Sequence, residues 1–140
     1  MGAVDLEAPN WGRIPPVAVT AAAALQPDGS VAIPTDAGIL RVAMLESGVR
    51  LRLGPRARDY GIMVREPAPL AAIVESVEGG TRLVAGERVL EIGHEPLSFS
   101  FAVSGRAVQS SPGDGHFVRR FRLPPFARFG DGWLVSLELA

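Results

Sequence analysis

The sequence predicts an all-β fold, an antiparallel β-sandwich. Apolar and polar residues alternate strictly along several short segments, and from residue 97 to 103 the Leu, Phe, Phe and Val residues share one face of a strand. Short sequences rich in Gly, Pro, Asp and Ser separate these segments. No long window free of Gly and Pro repeats its apolar residues with a helical period. Many short strands divided by turns are typical of a sandwich or a barrel.

The first predicted strand, residues 17–25, is the one ambiguous element, because its alanines at 21–24 would also tolerate a helix. β-branched residues at its start and prolines on both sides favour a strand. The same alternation predicts further strands along the chain. In order, these cover residues 31–33, 40–44, 49–53, 60–64, 73–78, 82–85, 88–92, 97–103, 117–123 and 133–139.

The turns between these strands are predicted from residues that tolerate a positive φ. Residues 78–81 read Glu-Gly-Gly-Thr, which is the pattern of a tight hairpin. Further turn sequences occur at residues 27–29, 47–48, 104–105 and 131–132. Irregular structure is expected at residues 1–16, 53–59 and 109–115, which contain Pro, Gly or polar residues.

The length of 140 residues corresponds to one domain. We predict an extended N-terminal arm over residues 1–16 and a β-sandwich domain over residues 17–140. A complete (β/α)₈ barrel needs roughly 250 residues, so these residues do not contain one. The absence of Cys excludes thiol nucleophiles and Cys-ligated metal centres among them.

Charge and hydropathy argue against two classes of partner. The 14 basic residues, all Arg, are balanced by 15 acidic ones, so the net charge of −1 lacks the basic excess of nucleic-acid-binding domains. We therefore interpret the basic and aromatic run at residues 118–122 as an ordinary strand. The longest apolar run, residues 17–25, is shorter than the roughly 20 residues of a membrane span. No signal peptide is apparent, which favours a cytoplasmic location.

The residues that could carry chemistry show no catalytic or metal-binding spacing. His94 and His116 lack a His-x-x-x-His or His-x-Glu pattern, so we interpret both as solvated or capping residues. Two carboxylates could hydrolyse a glycosidic bond, but the sequence does not bring two of them together. The available carboxylates are Glu75, Glu78, Glu91, Glu95, Asp114 and Asp131. We predict no catalytic residue, no metal and no cofactor.

An aromatic segment in the last part of the sequence has two interpretations. Pro124 and Pro125 end the preceding predicted strand, and Phe126, Phe129 and Trp133 follow closely. In the first interpretation these rings close the bottom of the core. In the second they form a surface that docks another domain.

The last third of the chain resembles the N-terminal β-sandwich of family 31 glycoside hydrolases, the α-glucosidase and α-xylosidase family. The matching segments are residues 88–92, 95–101, 105–106, 121–127 and 132–137, with residues 48–53 as an earlier strand. The most specific parts are Arg-Leu-Pro-Pro-Phe-Ala at 122–127 and the strand that begins with Pro96 and Leu97. The resemblance covers about residues 30–140.

This resemblance implies a galactose-mutarotase-like sandwich that packs on a catalytic (β/α)₈ barrel of the same parent chain. In that family the catalytic Asp pair lies in the barrel, so no catalytic residue is carried over to this sequence. The expected function is that of a non-catalytic N-terminal domain of a retaining α-glycosidase, with carbohydrate bound through the parent enzyme. The expected barrel-docking surface consists of Pro125, Phe126, Phe129 and Trp133.

Two alternatives keep the β-sandwich but change its role. A stand-alone carbohydrate-binding module would stack sugar rings on Trp11, Tyr60 or Trp133. A small mutarotase-like enzyme would require His94 and His116 to converge.

Overall fold

The computed structural model describes residues 16–54, 67–111, 116–118, 121–123, 125–129, 132–135 and 138–139. These residues form β-strands and no helix. The strands are β1 (Ala24–Leu25), β2 (Val31–Thr35), β3 (Gly38–Leu45), β4 (Gly48–Leu53), β5 (Ile73–Val77), β6 (Gly80–Ala85), β7 (Arg88–His94), β8 (Leu97–Val103), β9 (Arg106–Ser110), β10 (His116–Val118), β11 (Phe121–Leu123), β12 (Phe126–Phe129), β13 (Gly132–Val135) and β14 (Glu138–Leu139).

The strands build two main antiparallel sheets. One is a four-stranded meander in the order β1-β2-β3-β4, and the other has six strands in the order β14-β9-β8-β7-β6-β5. Two further pairs, β10 with β11 and β12 with β13, are also antiparallel. Most neighbours in sequence are neighbours in a sheet, because short turns can join antiparallel strands directly.

The two main sheets pack on one shared core, which confirms the prediction of an all-β sandwich. Strand alternation directs one face of each sheet inwards, and the inward residues of both sheets belong to a single buried cluster. The four-stranded sheet contributes Val31, Ile33, Leu40, Val42 and Met44. The six-stranded sheet contributes Leu83, Ala85, Leu90, Ile92, Leu97, Phe99 and Phe101. Each fully buried Leu, Ile or Phe contributes about 1.5–3 kcal/mol to folding.

Several predicted turns are confirmed. Val77 pairs with Gly80, which leaves a two-residue loop in which Gly79 has φ +68°. At the β8–β9 turn, Ser104 and Gly105 have φ +51° and +75°. Two consecutive residues with positive φ form a type I′ turn, whose twist matches that of the strands it joins.

The prediction of one strand over residues 17–25 is wrong, because only Ala24 and Leu25 of this segment are in a strand. Residues 16–20, which we call the clasp, instead divide their backbone hydrogen bonds between the two main sheets. Leu97 N donates to Val17 O at 2.6 Å and Val19 N to His94 O at 2.9 Å, both in the six-stranded sheet or its turn.

On its other side, the clasp reaches the four-stranded sheet. Thr20 N donates to Pro34 O at 2.9 Å, and Asp36 N donates to Ala18 O at 3.0 Å. An extended segment whose partners alternate between two sheets satisfies its peptide groups without forming a ladder with one strand. The alternation in the sequence revealed the extended backbone, but it did not reveal this division.

Three strand boundaries in the last part of the sequence also differ from the prediction. Residues 117–123 are not one strand, since Val118 pairs with Phe121 in the β10–β11 hairpin. Residues 133–139 are divided between β13 and β14, which belong to different sheets. Residues 109–110, expected to be irregular, belong to β9. Residues 119–120 and 136–137 contain no Gly, Pro or Asn, so the sequence has no strong turn signal there, and the alternation of apolar residues predicted continuous strands. The strand predicted at residues 60–64 lies outside the described residues.

Candidate functional site

An apolar cleft of about 590 Å³ opens between the two main sheets. On one side it is lined by the inward face of β4, the last strand of its sheet among the described residues, where Val49, Leu51 and Leu53 are only half-buried. On the other side lie Phe99 and Phe101 of β8. The sandwich is therefore less completely closed along β4 than at its centre.

The rim of this cleft carries two exposed valines. Val108 is 44% exposed and Val135 is 51% exposed, and both line the cleft. Val108 owes its position to a β-bulge: Phe101 pairs with Gln109 and Ala102 with Ala107, so Val108 is an extra residue in β9. Bulges change the direction of a side chain at the edge of a ladder.

Two of the predicted docking residues, Pro125 and Phe126, are buried in the sandwich. Pro125 is fully buried, and Phe126 packs its ring against Phe99 with 6.0 Å between centroids and a tilt of 49°. Phe126 is anchored further by its backbone, because Val17 N donates to Phe126 O at 2.9 Å. Since Phe126 also lines the cleft, its remaining exposed edge faces that opening.

The other two predicted docking residues lie on the β12–β13 hairpin beside the cleft. Phe129 pairs with Gly132, and Trp133 pairs with Arg128. Val135, which lines the rim, pairs with Phe126 on the same hairpin. The side chains of Phe129 and Trp133 lie outside the described part of the structure. The docking surface as a whole stays a prediction.

His94 lies at the end of β7, on the inward face of the sheet. Its Nε2 is 2.8 Å from Oγ1 of Thr81, which is buried on the neighbouring strand β6. The backbone of His94 also takes part in the clasp, since its carbonyl oxygen accepts the hydrogen bond from Val19 N. Through these contacts His94 joins the end of β7 to β6 and to the clasp, which is a structural role. The side chain of His116 lies outside the described residues, so convergence of the two histidines stays untested.

Two of the candidate carboxylates share one arginine. Glu75, Arg82 and Glu91 stand opposite one another on β5, β6 and β7. Arg82 Nη2 is 2.8 Å from Glu91 Oε1, and Arg82 Nη1 is 3.8 Å from Glu75 Oε2. This cross-strand row lies on the outward face of the sheet and is about half-exposed, so it stabilises strand pairing modestly. Glu78 and Glu95 are exposed in turns, and Asp114 and Asp131 lie outside the described residues.

A second concave region lies on the outward face of the four-stranded sheet. Arg41, Arg50 and Arg52 line it together with Asp28 of the β1–β2 turn, and its volume is about 470 Å³. The sequence had placed Arg50 and Arg52 on the polar side of one strand by alternation. Arg41 joins this group only through the pairing of β3 with β4, in which Arg41 stands directly opposite Arg52.

The chain matches no family model, and no curated protein matches it at a significant level. Within the described residues, no group of His, Asp and Glu is arranged to hold a metal ion. The same part of the chain has no helix long and apolar enough to cross a membrane.

Proposed function

We propose that this chain is a non-catalytic β-sandwich domain of a retaining α-glycosidase of the family 31 type. In this proposal the sandwich packs on a catalytic (β/α)₈ barrel supplied by the same parent chain, and carbohydrate is bound by the parent enzyme. The sequence motifs at residues 88–137 support it by their order and spacing. The all-β sandwich is the architecture that this role requires.

The observation that carries the proposal is the exposed apolar rim of the cleft. Val108 and Val135 are large apolar side chains left about half in water at an opening that is itself lined by apolar residues. Apolar side chains exposed at one apolar opening have a lower free energy when another surface covers them than when they stay in water. The β12–β13 hairpin, which carries Phe129 and Trp133, forms one border of the same opening through Val135. In this proposal the barrel covers the exposed valines together with the outer side of this hairpin.

The positions of the described carboxylates are consistent with a supporting role. Glu75 and Glu91 both form ion pairs with Arg82. They lie on the face of the six-stranded sheet that points away from the cleft. The barrel would supply the nucleophile and the general acid in this proposal. The alternative of a separate carbohydrate-binding module gains no support from the described residues, since Trp11, Tyr60 and the Trp133 side chain lie outside them.

The first test is made on the gene. The coding sequence beyond Ala140 is read, and we expect it to encode a barrel with Asp at the ends of its strands. A stop codon at that point would overturn the proposal. The 140-residue chain is then purified and assayed with nitrophenyl α-glucoside and α-xyloside. We expect no release of nitrophenol, and turnover by this chain alone would contradict the non-catalytic role.

The second test addresses the cleft in the full-length parent protein. Val135→Asp and Val108→Asp place a charge at the rim, so we expect faster thermal inactivation of α-glycosidase activity. Ile73→Asp is the matched control, because Ile73 is 65% exposed on the edge strand β5, which does not line the cleft. If all three variants inactivate at the parent rate, the cleft is not the docking surface.

A further inference from the structure

The outward face of β3 and β4 carries three arginines in a compact arrangement. Arg41 stands directly opposite Arg52, and Arg50 stands opposite Ala43 in the adjacent outward position. Ala43 lies beneath them and is only 2% exposed. A small side chain beside three long ones leaves a concave region that Ala43 and the three arginines line. We call this region, with Asp28 at its edge, the arginine groove.

Among the described residues that line it, the arginine groove has an excess of positive charge. Asp28 is the one carboxylate among these described residues, against three arginines. Asp28 already has hydrogen-bond partners two residues away, because its Oδ1 accepts hydrogen bonds from Ser30 N at 2.9 Å and from Ser30 Oγ. Like charges directly opposite each other on paired strands destabilise a sheet. Because Arg41 stands opposite Arg52, an anion bound beside Arg41 is also attracted by the charge of Arg52.

Guanidinium groups suit one class of ligand in particular. Arg has its donors in a planar fork that bonds two oxygens of a carboxylate or a phosphate at once. The groove volume of about 470 Å³ is within the range of small-molecule sites. Arg50 and Arg52 also take part in other interactions of the chain, whereas Arg41 has no hydrogen-bond or ion-pair partner among the described residues. Arg41 is thus the arginine best placed to meet a ligand.

We propose that the arginine groove binds a small oxyanion, a carboxylate or a phosphate group, with Arg41 as its principal contact. The anion contacts Arg41, and the neighbouring charge of Arg52 on the paired strand adds to the attraction. This site is separate from the apolar cleft, because the cleft lies between the sheets and the arginine groove lies on the outer face of one of them. The proposal does not depend on the α-glycosidase assignment.

The test is a titration of the 140-residue chain followed by calorimetry. Sodium phosphate forms one arm, sodium glucuronate the second and neutral glucose the third, and chloride keeps the ionic strength constant in all of them. We expect saturable binding of phosphate or of glucuronate, but not of glucose. The first two arms distinguish a phosphate ligand from a sugar carboxylate. We also expect the bound anion to raise Tm in proportion to its occupancy.

Variants distinguish binding at the arginine groove from nonspecific attraction of anions to any exposed arginine. Arg41→Gln should weaken binding about tenfold, because a charge-assisted hydrogen bond is lost. Arg41→Lys should weaken it less, because the charge remains but the planar fork does not. Arg106→Gln removes an exposed arginine at the start of β9, outside the groove, and should bind like the parent chain.

Three outcomes overturn the proposal. The first is the absence of saturable binding for both anions. The second is equal weakening by Arg41→Gln and Arg106→Gln, which would indicate nonspecific charge. The third is binding of an oligonucleotide without binding of either small anion, which would indicate a nucleic-acid surface. Circular dichroism of each variant shows whether it is folded.

Discussion

Arg88 connects the two sheets of the sandwich through a hydrogen bond from its Nη2 to the carbonyl oxygen of Glu46, at 2.9 Å. Arg88 begins β7 in the six-stranded sheet, and Glu46 lies in the turn between β3 and β4 of the other sheet. The bond spans 42 positions of sequence, so it restrains how the sheets are placed relative to one another. It lies at the surface, where exchange with water reduces its net contribution.

We expect Arg88→Ala to lower the free energy of unfolding by about 1 kcal/mol, because the inter-sheet bond and the packing of the arginine stem are lost. Urea denaturation followed by circular dichroism measures the change. Arg106→Ala serves as the control, since Arg106 is an exposed arginine on the same sheet without such a bond among the described residues. Equal effects of the two substitutions would mean that the bond to Glu46 contributes nothing.

Phe126 provides a second prediction, because its ring fills the core against Phe99 at the border of the cleft. Phe126→Ala should destabilise the chain by about 3–5 kcal/mol, and Phe126→Leu by less, in keeping with the volume removed. Thermal denaturation of both variants checks the order. If Phe126→Ala is as stable as the parent chain, the ring is not part of the core.

Gly93 provides a test of close packing between β7 and β8. A Cβ at this position would collide with Ser98 Oγ on the paired strand. We therefore expect Gly93→Ala to be destabilising and Gly93→Ala/Ser98→Ala to recover much of the loss, because the second change removes the colliding oxygen. The comparison is made by denaturant midpoint.

Gly80→Ala is the matched control for this rescue. A Cβ at Gly80 would lie 2.5 Å from the backbone carbonyl oxygen of Ile92, which no substitution at Ser98 can remove. Adding Ser98→Ala to Gly80→Ala should therefore not restore stability. Recovery in both backgrounds would show that Ser98→Ala stabilises the chain by another route.

The pH dependence of stability should include a contribution from Asp28. The hydrogen bonds from the Ser30 side chain and backbone, assisted by Arg50, hold the pKa of Asp28 below its usual value of 3.8. A carboxyl whose pKa is lower in the folded chain stabilises it above the unfolded pKa, and this stabilisation is lost as pH falls through the folded pKa. We expect Ser30→Ala to reduce the loss of stability below about pH 4.

Unfolding midpoints of the parent chain and Ser30→Ala at a series of pH values between neutral and acid check this prediction. Asp28→Asn in the same series shows the profile without the carboxyl. The Ser30→Ala curve should lie between the other two. Parallel curves for the parent chain and Ser30→Ala would contradict a role for Ser30 in holding the carboxylate charged.

The sequence by itself determined the fold class and most of the strands. Alternation of the type seen in β8 places Leu97, Phe99 and Phe101 on one face, and the structure buries all three in the core. Glycine and serine turn residues likewise fixed the hairpins at Gly79 and at Ser104–Gly105. These features depend on neighbours within a few positions, because side-chain direction and turn φ are local properties of the chain.

The tertiary structure alone decided which distant residues meet. The clasp around Val17, the bulge that exposes Val108 and the meeting of Arg41 with Arg52 all depend on register and on the approach of separate elements. A period of two residues specifies a face, but it specifies neither the partner strand nor the offset at which that partner pairs. For this reason the candidate cleft and the arginine groove, unlike the strands that line them, could not be read from the sequence.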